Sequence, residues 1–275
     1  MSFAPITLDA YNPSPMTGAG NHTYLVADGN GSAVLVDAGV GKPDHLEDLS
    51  RALTSLRSEL RTVIVTHGHA DHASGAAAIA AAHPRAEFLK KPWPGQDATY
   101  RVDWKPIGEG SRIAVGIADL LVVETPGHSP DHIALWHAAS RTILTGDLLV
   151  AGSSVMIHTS RGGNLAEYLR SLDRILSLKP AVLLPAHGAI VDTPKRAADL
   201  IRGYIDHRLT RERQVLDALA SGHATVRAIT EYIYHGLAPA LMPAARENVQ
   251  AHLEKLAAER RAVNREGAWT TSSTS

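Results

Sequence analysis

The chain reads as an α/β protein with a small helical domain appended at its C-terminus. Three observations predict this. Short β-branched and apolar runs alternate with amphipathic or alanine-rich stretches as far as Pro185. From Thr193 onward the strand signals give way to helical ones. A length of 275 residues exceeds one typical domain and falls short of two full-sized ones, so one large core plus an appendage is expected.

His22 to Ala27 and Ser32 to Asp37 flank the turn signal Asp28-Gly29-Asn30-Gly31, which predicts a β-hairpin. Leu46 to Leu60 has apolar residues near helical spacing, and Thr62-Val63-Ile64-Val65 after it predicts a buried strand. Ala73 to Ala82 favours helix and Pro84 stops it. Ala86 to Leu89, Leu120 to Glu124, His132 to Trp136 and Thr142 to Thr145 are short strand candidates. Leu165 to Leu178 predicts an amphipathic helix, and Ala181 to Leu184 a last buried strand ending at Pro185. Thr193-Pro194 is an N-cap and first-turn pair opening a long helix to about Ala220, followed by helices near Thr225 to Tyr234 and Ala240 to Ala262. The expected organisation is a catalytic body at 1–193, a helical domain at 194–266 and a polar, disordered tail at 267–275. No internal repeat is present.

Composition narrows the function. Hydrophobic residues make up 44% and charged residues 20%, with a net charge of -1, as in a globular protein. No cysteine is present, which excludes disulfides, thiolate zinc ligands and cysteine nucleophiles and fits a reducing compartment. The opening MSFAPITLDAYNPSPM has no basic and apolar leader pattern, and no run approaches the ~18 apolar residues of a membrane span. A cytoplasmic protein with no membrane partner is expected. From Pro194 on, 12 Lys and Arg face 9 Asp and Glu, a net of +3 that leaves -4 for the preceding body.

Histidine carries the chemistry. His67-Gly68-His69-Ala70-Asp71-His72 puts four candidate ligands in six residues at the end of a predicted strand, where a loop can turn them inward. Three weaker signals follow at strand ends: Thr125-Pro126-Gly127-His128, Thr145-Gly146-Asp147 and Leu184-Pro185-Ala186-His187-Gly188. A glycine beside each lets the backbone approach a crowded centre. A Ser-His-Asp hydrolase is a much weaker reading, because no G-x-S-x-G occurs.

T-H-x-H-x-D-H, then P-G-H, G-D and A-H-G in that order resembles the metallo-β-lactamase superfamily. Asn12 to Thr17 with Asn21 to Val26, Thr125 to His132, and Tyr204-Ile205-Asp206-His207-Arg208 extend the likeness to the beta-lactamase-like protein 2 and hydroxyacylglutathione hydrolase branch. The resemblance implies an αββα metallo-β-lactamase sandwich with a small C-terminal winged-helix-like domain. It implies that His67, His69 and His128 hold one zinc ion, that Asp71, His72 and His187 hold a second, and that Asp147 bridges them. Histidine and carboxylate suit zinc at about 2.0–2.2 Å, and iron and manganese accept the same donors. Two such cations share and activate a bridging hydroxide. Asp71 is the candidate catalytic residue, placed to orient that hydroxide or receive its proton. Lactamases with a cysteine ligand are excluded, and Asp147 points instead to thioester and phosphodiester hydrolases.

Other residues read as background. His132 is expected at the start of a strand facing away from the His128 loop, the alternative being a support behind the metal ligands, and His22 as a satisfied structural histidine. His45, His83, His137, His223, His235 and His252 read as surface. Ser153, Ser154, Met156 and Ser160 read as solvated loop residues beside a cleft. His207, Arg208, Arg211 and Arg213 read as a solvated or helix-packing face, the alternative being a grip on an anionic substrate group.

Three functions compete. An ester or thioester hydrolase acting on a small-molecule or carrier-bound acyl substrate ranks first. An endoribonuclease on single-stranded RNA ranks second, since the body is acidic and aromatics are only 5% of the chain. A metal-sensing DNA-binding protein ranks third, because it would leave a catalytic ligand set without a task.

Overall fold

Six strands form the first sheet in sequence order: β1 (Ile6–Asp9), β2 (His22–Ala27), β3 (Ser32–Val36), β4 (Glu59–Val65), β5 (Glu87–Lys90) and β6 (Trp104–Pro106). β1, β2 and β3 pair antiparallel, and β3 through β6 pair parallel. The second sheet runs β7 (Arg112–Val115), β8 (Ala118–Glu124), β9 (Ile133–His137), β10 (Thr142–Gly146) and β11 (Val182–Pro185). Its pairs are antiparallel except β10 with β11. The computed structural model describes residues 3–14, 17–27, 29–115, 118–152 and 154–272. Pro15 and Met16 of the Asn12 to Thr17 stretch, Asp28 of the turn, Ser153 of the loop and 273–275 of the expected tail lie outside the described residues.

Alternation along the strands explains why they are apolar on both faces. Tyr24, Val26, Val34, Val36 and Ile64 of the first sheet meet Leu120, Val122, Ile133, Leu135 and Leu144 of the second in a shared inner core. The intervening residues, Leu25, Leu35, Val63 and Val65, point the other way and pack on α1 (Pro43–Leu56), α2 (Ala70–Ala73) and α3 (Ala76–Ala82), and the one-turn α4 (Pro94–Asp97) lies between β5 and β6 in the chain. On the far side Val123, Ala134, Trp136 and Ile143 pack on α5 (Leu165–Ser177) and α6 (Pro194–Ala220). The result is an αββα sandwich, as the resemblance implied. α5 starts where Asn164 accepts the Glu167 N–H at 3.1 Å, a cap worth about 1 kcal/mol. The alanine-rich helix expected as one piece breaks between α2 and α3 at Gly75, where a Cβ would stand 2.1 Å from Ala38 O.

The C-terminal part is a winged-helix domain. The end of α6, α7 (Val226–Ile233) and α8 (Met242–Ala258) surround Val215, Leu219, Ile229, Val249, Leu253 and Leu256. β12 (Ala262–Arg265) and β13 (Ala268–Thr271) form the wing. Two expectations need correction here. The helix placed at 240–262 ends at Ala258, and the tail expected to be disordered from Gly267 carries β13, anchored by the buried Trp269. α6 also serves both cores, with Ala197 and Ile201 in the body and Val215 and Leu219 in the winged helix. His45, His137 and His252 are buried rather than surface, while His83 and His223 are half-buried and His235 is exposed. His45 Nε2 meets the Thr23 hydroxyl at 2.9 Å, and His137 Nδ1 meets that of Ser140 at 2.6 Å.

Candidate metal centre

The six-residue histidine motif is split by a change in backbone. His69 is extended, with φ −73° and ψ 151°, and acts as the N-cap of α2. His67 and His69 therefore turn to one side of the loop after β4, and Asp71 and His72, on the helical turn, to the other. The loop between β8 and β9 adds His128, the end of β10 adds Asp147, and the end of β11 adds His187. All seven sequence-predicted residues come together at this end of the sandwich, in two adjoining groups. One holds His67, His69 and His128, the other Asp71, His72, Asp147 and His187, with donor atoms within 4.8 Å of one another in each.

In the first group His67 Nε2 lies 3.0 Å and His128 Nε2 2.9 Å from His69 Nδ1. Nitrogens bound to one metal at about 2.0–2.1 Å stand roughly 3 Å apart, so the spacing suits a shared ion. The opposite ring nitrogens are occupied elsewhere. His128 Nδ1 donates to Met156 O at 2.9 Å, and His67 Nδ1 lies 3.1 Å from the Thr66 hydroxyl. Burial lowers the pKa of His67 and of His128 and, with the nearby charge of His128 and His72, brings that of His69 down to about 3. These rings are neutral at physiological pH, with lone pairs free for a cation.

The second group is charged. His72 Nε2 and His187 Nε2 each lie 3.3 Å from Asp147 Oδ1, and 3.4 Å and 3.3 Å from Asp71 Oδ2. Burial opposes every one of these charges, yet mutual attraction outweighs it: both histidines are raised and both aspartates lowered. The other oxygen of Asp147 faces the first group, 3.6 Å from His128 Nε2 and 4.0 Å from His67 Nε2. His72 Nε2 and Asp147 Oδ1 are buried and, despite their closeness, lack hydrogen-bond alignment with any described partner. Buried polar atoms normally find partners, and atoms aimed at a common point instead of at each other are what a metal site leaves. Seven histidine and carboxylate donors of this kind fit two transition-metal ions.

A supporting layer holds these donors, and much of it was missed in the sequence. Asp37 Oδ2 accepts from His72 Nδ1 at 2.9 Å, while Oδ1 accepts the Thr66 N–H at 2.8 Å and its hydroxyl at 3.0 Å. Asp37 has φ +64°, a left-handed backbone of the kind that functional sites maintain. The Asn21 amide donates to Asp71 O at 2.7 Å, and His187 Nδ1 donates to Gly20 O at 3.2 Å. Such bonds fix ring orientation around metals.

His132 requires correction. It is fully buried, its Nδ1 bonded to the Thr125 hydroxyl at 2.7 Å and its Nε2 accepting the Asp147 N–H at 3.1 Å. Gly146 is needed beside it, since a Cβ there would lie 2.8 Å from His132 Nε2. His22 is half-buried, its Nδ1 without a hydrogen-bond partner among the described residues, and its backbone N–H donates to Ala186 O at 2.7 Å. Arg208 is buried, donating to Val155 O and to Asn248 Oδ1 at 2.5 Å and lying over the Tyr168 ring. It joins the winged helix to the body, the helix-packing role. Arg211 lies over the Tyr234 ring at 4.1 Å, and His207 and Arg213 are exposed. Ser154 and Ser160 are exposed, and Met156 contributes its carbonyl to His128.

Comparison with known proteins shows the family. The sequence profile of the Metallo-beta-lactamase superfamily matches residues 16–187, and that of the Beta-lactamase associated winged helix domain matches residues 225–269. The chain is 28% identical to the Beta-lactamase-like protein 2 homolog of Caenorhabditis elegans over 93% of its own length and 85% of that protein's. A beta-lactamase domain protein from Burkholderia ambifaria superposes with a TM-score of 0.80 at 21% identity, covering 98% of this chain and 91% of that one. The structure of TTHA1623 in a di-iron-bound form superposes with a TM-score of 0.57 at 28% identity, covering 72% of this chain and 98% of that one.

Proposed function

Because the chain belongs to the metallo-β-lactamase superfamily, whose members are generally metal-dependent hydrolases, we propose that it is a two-metal hydrolase of ester or thioester bonds. The observation that carries this is Asp147, whose two carboxylate oxygens face the two donor groups separately. His67, His69 and His128 would hold one ion, Asp71, His72 and His187 the other, and Asp147 both. Zinc suits the donors, and iron is the alternative because a relative is described in a di-iron-bound form. When bound, the pair supplies an activated water at neutral pH and a Lewis acid for the charge that develops on the substrate oxygen.

The chain's own residues set the rest. Asp71, with its Oδ2 shared between His72 and His187, would orient the attacking water and take its proton. His132 holds the Asp147 backbone, and Asp37 and Met156 hold the rings of His72 and His128. The winged helix touches the body beside the centre: His158, on the loop that supplies Met156, lies 3.8 Å from Glu247 of α8. α8 is the helix that would enter a DNA groove in a reader, but Ala251 belongs to the body's core cluster and His252 is fully buried. That favours an enzyme over a metal-sensing DNA-binding protein.

An acyl substrate is preferred to RNA because the body is acidic and the conspicuous basic residue of the appendage, Arg208, is engaged in packing. Metal-loaded protein is offered acyl thioesters and labelled single-stranded RNA, beside an Asp147→Ala control. Thioester turnover lost in the control supports the proposal. Metal-dependent RNA cleavage without thioester turnover reverses it.

A further inference from the structure

We propose that Lys90 and Asp131 form a positioning device for the His67, His69 and His128 group, a role that rests on the two-metal reading above. Lys90 closes β5, and its register partner on β4 is Val65, two residues before His67. Both side chains of the pair are 0% exposed, and Lys90 Nζ lies 2.7 Å from Asp131 Oδ2 and 2.7 Å from Asp97 Oδ1. Such a pair contributes little net stability, because desolvating both charges offsets most of their attraction. Its placement supplies the reason for it.

Asp131 Oδ2 also accepts the Gly68 N–H at 2.7 Å, and the Tyr100 hydroxyl donates to Gly68 O at 2.7 Å. The residue between the two ligands is thus held at both its polar atoms. Glycine leaves room there, since a Cβ would stand 2.9 Å from Gln96 Cγ and 3.3 Å from Asp131 Oδ2 and would push on both side chains. The 3.0 Å spacing of His67 Nε2 and His69 Nδ1 depends on the torsions of this residue. Asp131 lies three residues after His128 in the loop between β8 and β9. One carboxylate therefore ties the ligand loop of the first sheet to the ligand loop of the second, and the Ile133 N–H to Thr66 O bond at 2.9 Å ties them again. Lys90 balances and aims that carboxylate, whose Oδ1 has no hydrogen-bond partner among the described residues.

Metal-free protein titrated with zinc against a chromophoric chelator resolves two affinities, assigned to the groups with His69→Ala and His187→Ala. In Lys90→Met and Asp131→Asn the affinity of the His67, His69 and His128 group falls about 10–100-fold, and that of the other group stays within about threefold. Lys90→Met leaves a buried carboxylate short of its partner and can unfold the chain, so the double variant K90M/D131L, which replaces the pair by apolar side chains, is measured as well. It regains thermal stability while the first affinity remains low. An unchanged first affinity in any folded variant, or an equal fall at both groups, overturns the proposal. Wild-type protein that binds no zinc at the first group defeats the two-metal reading instead.

Discussion

Replacing Gly127 by alanine should loosen the centre from a distance. Gly127 precedes His128, has φ +126°, and faces the start of α5 so closely that a Cβ would stand 2.2 Å from Tyr168 N and 2.4 Å from its Cα. Ordinary carbon contacts begin near 3.5 Å, so the loop or the helix must give by roughly 1 Å. Neither moves freely, because Asn164 N–H donates to Gly127 O at 2.8 Å, the Ser171 hydroxyl to Pro126 O at 2.8 Å, and the Tyr168 hydroxyl to Leu148 O at 2.7 Å. Backbone strain of about 1–3 kcal/mol and overpacking of about 1–3 kcal/mol give a total near 4 kcal/mol. At about 2–4 °C per kcal/mol for a chain of this order, the melting midpoint should fall by roughly 10 °C. Differential scanning fluorimetry reads that fall, and zinc titration reads a weakened first site. A Gly127→Ala protein that melts within about 2 °C of wild type and binds metal normally would refute the reasoning.

Asp147→Ala should weaken both metal affinities and lower turnover at least ~100-fold, more than loss of any one histidine, in parallel chelator and kinetic assays. His132→Ala should lower metal affinity by about 10–100-fold, acting through the Asp147 backbone, and a variant with wild-type affinity would show that bond to be idle. In the metal-free protein burial works against the charge on His187, but the carboxylates of Asp147 and Asp71, each 3.3 Å from its Nε2, raise its pKa from 6.5 to about 10. Stabilisation from a raised histidine is complete below its unfolded value and is lost as pH climbs through the folded one, so the metal-free melting midpoint should decline between pH 6.5 and 10. Zinc-loaded protein, its imidazole protons displaced, should show a shallower decline over the same range. Truncation after Asp192 strips Ala197, Ile201 and Tyr204 from the body's core and should leave an insoluble or inactive protein, checked by soluble yield and thioester turnover.

The fold and the seven donors were legible because their signals are local. A β-branched run ending in His67, and glycines beside His128, Asp147 and His187, place donors at strand ends without knowledge of the partner strands. What escaped depends on tertiary contact. His132 looks like the first residue of a strand, but it lies in the preceding turn, where alternation does not govern direction, and reaches Asp147 from there. Asp37 and Asn21 are lone polar residues at strand ends, and only the fold brings them under His72 and Asp71. Lys90 falls just past the strand expected at Ala86 to Leu89, and only the pairing of β5 between β4 and β6 and the burial of its side chain bring its charge to Asp131. A Ser/Thr-rich composition hid the final strand, although Trp269 was a signal for an anchored segment.

Anomalous diffraction at the zinc and iron edges, from crystals of protein purified without chelator or added metal, decides whether the centre holds two ions. Two ions about 3.5–4 Å apart are expected, one at each donor group, with Asp147 giving an oxygen to both. A single ion, or two ions with Asp147 bound to neither or to only one, would contradict the two-metal reading.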